Sequence, residues 1–352
     1  MKDDKVLMKG NEALAEGAIM AGCRCYFGYP ITPQNEIPEY MSRRMPEVGG
    51  VFVQSESEVA AVNMVFGASA CGKRAMTSSS SPGISLKQEG ISYLAGAQLP
   101  AVIVNVQRGG PGLGNISASQ ADYFQATKGG GHGDYHMLVY APSTVQEAFD
   151  LSVKSFEKAD EYRTPVMILA DGVLGQMMEP VRVKKRRVRE FEKPWALTGC
   201  KGRAPNVVKS LFMGEGELEA RNFALKKKYD KMRRKETMFD EYMVDDARLV
   251  VSAFGTAARI ARSAVRAARA EGMKVGLIRP VTLFPFPDAP FIGAAKRAKK
   301  FLVIEMNLGQ MVEDVRLAVE GRRKVEFYGR PGGGVPTPGE LLKVMTKAYP
   351  KG

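Results

Sequence analysis

Histidine is nearly missing from this chain: His132 and His136 are the only two in 352 residues, and both fall inside the stretch KGGGHGDYH. Triads built on imidazole and His-rich metal sites therefore have almost no material to use. Cysteine is also sparse. Cys23, Cys25, Cys71 and Cys200 supply one Cys-x-Cys pair and no CxxC, which fits neither a zinc site nor an iron–sulfur ligand set. Buried thiols in a reducing compartment are expected, and no metal ligands. No run of eighteen apolar residues occurs and no charged-then-apolar leader is visible, so the chain reads as soluble and cytoplasmic, without a membrane partner.

What is present in excess is positive charge, and its location decides its meaning. The net charge is +13, yet the segment Val181–Asp240 alone holds 18 Lys/Arg against 8 Asp/Glu. The runs VKKRRVRE and ALKKKYDKMRRKE carry no recognisable nucleic-acid fold motif and no interleaved aromatic array, so nucleic acid is not the expected partner. They read instead as a partly helical connector over 181–246. Its basic face, with Lys226, Lys227, Lys228, Arg233 and Arg234, is expected to meet an acidic partner.

At 352 residues with 45% hydrophobic content, the chain suits two domains with substantial cores. Short β-rich runs at 24–28, 51–54, 74–78, 101–106, 137–141 and 165–170 alternate with helical spacing. That rhythm predicts a mostly parallel sheet covered on both faces, in a first domain over 1–180. After the connector it restarts with RLVVSAFG, MKVGLIRP, KKFLVIE and KVEFYG, separated by helical segments such as 256–271 and 314–320. A second, smaller α/β domain over 247–352 follows. Its proline-stiffened loop, Arg279–Pro287, reads as packing.

In such sheets ligands bind at the carboxyl ends of the strands, so the loops there matter most. Four stand out: GYPITP, QSESEVAAVNMVFGASACG, TSSSSPGISLKQEG and NVQRGGPGLG. In the first, Pro30 and Pro33 stop both strand and helix and make a rigid corner. Each of the others has a plain reading too. Ser78–Ser81 with Pro82 and Gly83 could be a loop and helix cap; Glu56 and Glu58 could simply favour a helix N-terminus; the Arg108 turn lacks the spacing of a phosphate cradle. With so few catalytic imidazoles, a carboxylate at a helix start beside an arginine and a threonine suits a site where a cofactor does the bond making.

Together the motifs become specific. YPITP, the ESEVAA helix start, TSSSSPGISLKQEGISY, QRGGPGLG with SQADYFQATKGGGHGDY, and LIRPVTLFPFP resemble, in order and over nearly the whole length, the alpha subunit of 2-oxoacid:ferredoxin oxidoreductases. The 2-oxoisovalerate (3-methyl-2-oxobutanoate) branch is the most similar. The resemblance implies a thiamine-diphosphate-binding domain of the pyrimidine type followed by a transketolase C-terminal-like domain. It also implies an enzyme assembled from several chains, which oxidatively decarboxylates a branched-chain 2-oxoacid with coenzyme A to an acyl-CoA, CO2 and reduced ferredoxin. The diphosphate and Mg2+ would belong to a beta subunit, and 4Fe-4S clusters to partners, with gamma and ferredoxin-like delta subunits completing the assembly. A GDG…Asn diphosphate motif and cluster cysteines are both missing here, in keeping with that division.

The resemblance also assigns residues. Glu58, nine residues before Gly67-Ala68, falls on the family's activating glutamate, which hydrogen-bonds a pyrimidine nitrogen; Glu56 is offset from that pair. Thr32 falls on a threonine that contacts the substrate carboxylate, and Arg108 on an arginine at the substrate end of the pocket. Tyr29, Pro30 and Ile31 are expected to line the cofactor. His132 and His136 stay open between pocket and interface. The alternatives are a 2-oxoglutarate or pyruvate:ferredoxin oxidoreductase subunit, or a noncatalytic scaffold subunit; a stand-alone thiamine enzyme is disfavoured by the missing diphosphate motif.

Overall fold

The computed structural model describes residues 5–183 and 187–350, so residues 184–186 of the first basic run lie outside it. A seven-stranded sheet forms the centre of the first domain, in the spatial order Thr282–Phe284, Leu138–Tyr140, Pro165–Asp171, Ala101–Gln107, Ala75–Ser79, Cys25–Gly28, Val51–Gln54. Its pairings are parallel except at one edge, where Thr282 pairs antiparallel with Tyr140. The middle strands are wholly buried and correspondingly rich in Val, Ile, Leu and Met, as a sheet covered on both faces requires. Helices Gly10–Met20 and Val145–Tyr162 pack together, and so do Glu58–Ala70 and Ser81–Ala97.

The second sheet is ordered Lys324–Gly329, Lys300–Glu305, Leu249–Ser252, Val275–Pro280, Phe239–Tyr242, with only the last strand antiparallel. A two-stranded ribbon, Lys5–Lys9 against Met178–Arg182, closes the first domain. Three elements depart from the expectations: the ribbon, the edge strand Phe239–Tyr242, and Thr282–Phe284. The last lies in the proline-stiffened loop and completes the first sheet instead of only packing. The helix Glu217–Lys235 runs through the connector and docks by Leu225, Tyr229 and Met232, a one-face spacing.

The two sheets are joined by polar contacts. Gln120 donates to the Phe254 carbonyl at 2.8 Å, Asn307 donates to the Gln120 carbonyl at 2.8 Å, and the Thr256 hydroxyl donates to buried Asp171 at 2.8 Å. Of the four cysteines, all free, only Cys23 is buried; Cys71 and Cys200 are exposed, so the expectation of buried thiols fails for those two. No helix among the described residues is long and apolar enough to cross a membrane.

Candidate active site

The chain runs outward from Cys25–Gly28 to Val51–Gln54, then crosses back to Ala75–Ser79 on the other side of its starting strand. That reversal opens a crevice at the carboxyl ends of the two adjacent strands. GYPITP leaves the first strand and the serine run leaves the second. They are tied together: the Tyr26 hydroxyl and Ser78 Oγ lie 2.6 Å apart, and Ser78 Oγ donates to buried Gln34 Oε1.

Gln34 folds the proline corner back on itself. Its side-chain nitrogen donates to the Tyr29 carbonyl at 3.2 Å and its backbone nitrogen to the Ile31 carbonyl at 3.1 Å. The Pro33 carbonyl is held from behind by Asn11 at 2.8 Å and Gln176 at 3.1 Å. Thr32 is thus fixed at both ends while its half-buried hydroxyl keeps one long contact, from Asn35 at 3.4 Å. Tyr29 and Pro30 are exposed and Ile31 is half-buried.

Arg108 comes to the same corner from the end of Ala101–Gln107. It is 8% exposed; its guanidinium donates to the Thr32 carbonyl at 3.1 Å and to the Leu113 carbonyl at 3.0 Å, while Nε is buried with no partner. No carboxylate pairs with it among the described residues, so a surface salt bridge does not describe it. Its backbone nitrogen donates to Ser81 Oγ at 3.0 Å, and Ser81 in turn donates to Asp122 at 2.6 Å, beside Asn105 at 2.8 Å from the same carboxylate. Burial raises the Asp122 carboxyl above its ordinary range, against the lowering effect of Ser81 and Asn105.

Glu58 opens the helix Glu58–Ala70. Ser57 caps that helix by accepting from the Ala60 nitrogen at 3.2 Å. Glu56 is exposed, whereas Glu58 is 6% exposed and turned inward, with Ser79 Oγ 3.4 Å from Oε1. It can lie there because of Gly83: a Cβ at that position would stand 2.4 Å from Glu58 Oε1 and 2.0 Å from Ser79 Oγ. A second glycine, Gly90, lets Val62 approach in the same seam. Lys87 lies between them, completely buried, with Nζ donating to the Glu58 backbone carbonyl at 3.2 Å.

The structure therefore joins Thr32 to Arg108 directly and sets Glu58 beside the serine run of the same crevice. Ser79 and Ser81 belong to the Ser78–Ser81 run weighed above as a cap; Gln34, Lys87 and Asp122 were not singled out from the sequence, although the last two lie in the quoted motifs. The spacing Gly83, Lys87, Gly90, one helical face, was the available signal. His136 lies elsewhere, stacked on Phe284 at 4.2 Å and edge-on to Tyr229 at 5.4 Å against the connector helix; His132 is exposed. Among the described residues no cluster of three or more metal-ligating side chains occurs.

Residues 16–243 match the family described as "Pyruvate flavodoxin/ferredoxin oxidoreductase, thiamine diP-bdg", and residues 247–341 match "Pyruvate:ferredoxin oxidoreductase core domain II". The chain belongs to the 2-oxoacid:ferredoxin oxidoreductase family. Within it, the chain is 54% identical to the ketoisovalerate oxidoreductase subunit VorB of Methanothermobacter thermautotrophicus, over 97% of this chain and 96% of that one. Identity to the 2-oxoglutarate synthase subunit KorA of the same organism is 40%, over 98% and 99% of the two chains. The solved 2-oxoglutarate:ferredoxin oxidoreductase from Magnetococcus marinus, with 2-oxoglutarate, coenzyme A and succinyl-CoA bound, superposes with a TM-score of 0.89 at 28% identity; the match covers 98% of this chain and 65% of that one. An inactive β4 tetramer of a split-gene transketolase shares the fold, with a TM-score of 0.61 at 14% identity over 97% and 98% of the two chains.

Proposed function

We propose that this chain is the alpha subunit of a cytoplasmic thiamine-diphosphate-dependent 2-oxoacid:ferredoxin oxidoreductase, which converts 2-oxoisovalerate and coenzyme A to an acyl-CoA, CO2 and reduced ferredoxin. The observation that carries the branch is the higher identity, over nearly full length, to the ketoisovalerate subunit than to the 2-oxoglutarate one. In this reading residues 1–180 form the pyrimidine-binding domain, 181–246 the connector and 247–352 the transketolase C-terminal-like domain. A beta subunit supplies the diphosphate and Mg2+ site, and further subunits carry 4Fe-4S clusters and reach ferredoxin. Exposed Val59, Leu86, Leu113 and Ile116, each close in sequence to a site residue, support coverage by a partner.

Three local features fit the aminopyrimidine half of thiamine diphosphate: the Gly83 notch beside the Glu58 carboxyl, and the partnerless buried atoms Ser80 Oγ and Arg108 Nε. Bound there, the cofactor would supply the carbanion chemistry that the side chains lack. Glu58 would hold a proton at a ring nitrogen. Thr32 and Arg108 would orient the substrate carboxylate, and Tyr29, Pro30 and Ile31 would border the ring. The test is kcat/KM of the purified multi-subunit complex over a panel of 2-oxoacids with coenzyme A. The highest value is expected for 2-oxoisovalerate; a preference for 2-oxoglutarate or pyruvate would overturn the branch.

A further inference from the structure

Lys87 is the largest charged side chain that is completely buried, and its surroundings are unusual for a cation. It sits on the face of Ser81–Ala97 that meets Glu58–Ala70, between the two glycines that draw the helices together. A buried ammonium normally ends in an ion pair or several acceptors. Among the described residues Lys87 has one hydrogen-bond partner, the backbone carbonyl of Glu58 at 3.2 Å, and no carboxylate within ion-pair distance.

Glu58 is the titratable group that faces it. The other acids on nearby elements are engaged elsewhere: Asp122 with Ser81 and Asn105, Asp171 with Thr256, and Glu89 with Tyr93 on the exposed side of the same helix. We infer that Lys87 is a positioning residue for Glu58: it fixes the helix start that carries the carboxyl group and sets a buried ammonium beside the place where a cofactor ring would bind. Burial pushes the Lys87 ammonium down to about 7, with the Glu58 charge acting in the opposite sense. As pH rises through that region the seam exchanges its buried cation for a neutral amine. By linkage, the number of protons exchanged when the cofactor binds must change across that interval.

This inference rests on the role proposed for Glu58. Its test is calorimetry of thiamine diphosphate binding to the reconstituted complex in buffers of different ionisation heat, at several pH values from about 6 to about 8.5. The wild-type complex should show a step in net proton exchange near pH 7. Lys87→Met and Lys87→Gln should both lose the step, although Gln keeps a donor for the Glu58 carbonyl. A flat wild-type profile overturns the inference whether or not the variants fold, and so does a step that persists in Lys87→Gln. The role of Glu58 is read separately: if Glu58→Gln activates the cofactor normally, the underlying reading fails, whereas slow activation in Glu58→Gln with an unaltered pH step in Lys87→Gln removes only Lys87.

Discussion

At the scale of the residue, each of the three polar groups expected to do chemistry is held by a different part of the chain, and the differences give distinct mutant phenotypes. Glu58 stands at a helix start against Gly83, where the proposed function has its carboxyl group face the cofactor ring. Glu58→Gln keeps its volume and removes the ionisable proton, so cofactor activation should slow about a hundredfold to ten-thousandfold for every 2-oxoacid alike. Hydrogen–deuterium exchange at the thiazolium C2 of the loaded complex without substrate reads this directly; normal exchange would leave Glu58 as a helix-start charge. Thr32→Val and Arg108→Leu should leave that exchange near normal and lower kcat/KM. Arg108 also donates to the Thr32 carbonyl, so the two losses should be non-additive in a double-mutant cycle.

At the scale of the element, the seam between Glu58–Ala70 and Ser81–Ala97 decides where the carboxyl group sits. Gly83→Ala would put a methyl group into both Ser79 and Glu58, and a displacement of about 1 Å costs on the order of a hundredfold in rate. The measurement is C2 exchange together with the unfolding midpoint, since lost exchange with retained stability marks a positioning defect. The connector helix divides its cations. Lys227, Arg234 and Lys235 are exposed, whereas Lys228 donates to the Arg163 carbonyl at 3.0 Å, and burial with Arg221 and Arg163 beside it pushes its ammonium down to about 7. Lys228 is therefore no part of a solvated basic face. Neutralising Lys227, Arg234 and Lys235 together should weaken subunit assembly in a salt-sensitive way, while Lys228→Ala should lower the stability of the chain itself. Unchanged assembly at every ionic strength would make the exposed cations a solvated face only. Burial, with Arg233 and Lys128, holds His136 down at about 4 against an ordinary 6.5. The unfolded chain then binds the proton more readily, so this contribution to stability is full above about pH 6.5 and is lost as pH falls toward 4. His136→Phe should blunt the acid loss in urea titrations.

Legibility in the sequence follows the same division. The central parallel strands were readable because burial on both faces makes them continuous apolar runs, and Ala101–Gln107 and Pro165–Asp171 each end within one residue of the runs expected at 101–106 and 165–170. Thr282–Phe284 was not, since TLF beside prolines carries the signal of a loop; its strand character comes from a partner, Leu138–Tyr140, far away in sequence. The edge strand FDEY is polar and exposed, and edges need no apolar alternation. Lys87 stayed hidden because a lysine in a polar-looking helix reads as solvated until the neighbouring helix is known.

At the scale of the whole molecule, the proposed function makes the crevice half of a site. Thr32, Arg108 and Glu58 are gathered at it, a diphosphate motif is missing from the sequence, and apolar side chains stand exposed near these residues in sequence. The most direct test compares the pure chain with the complex it forms, assaying CO2 release from 2-oxoisovalerate with thiamine diphosphate, Mg2+, coenzyme A and an electron acceptor. The chain alone should show no release, and the complex should show release that depends on Glu58; decarboxylation by the pure single chain would contradict the shared site.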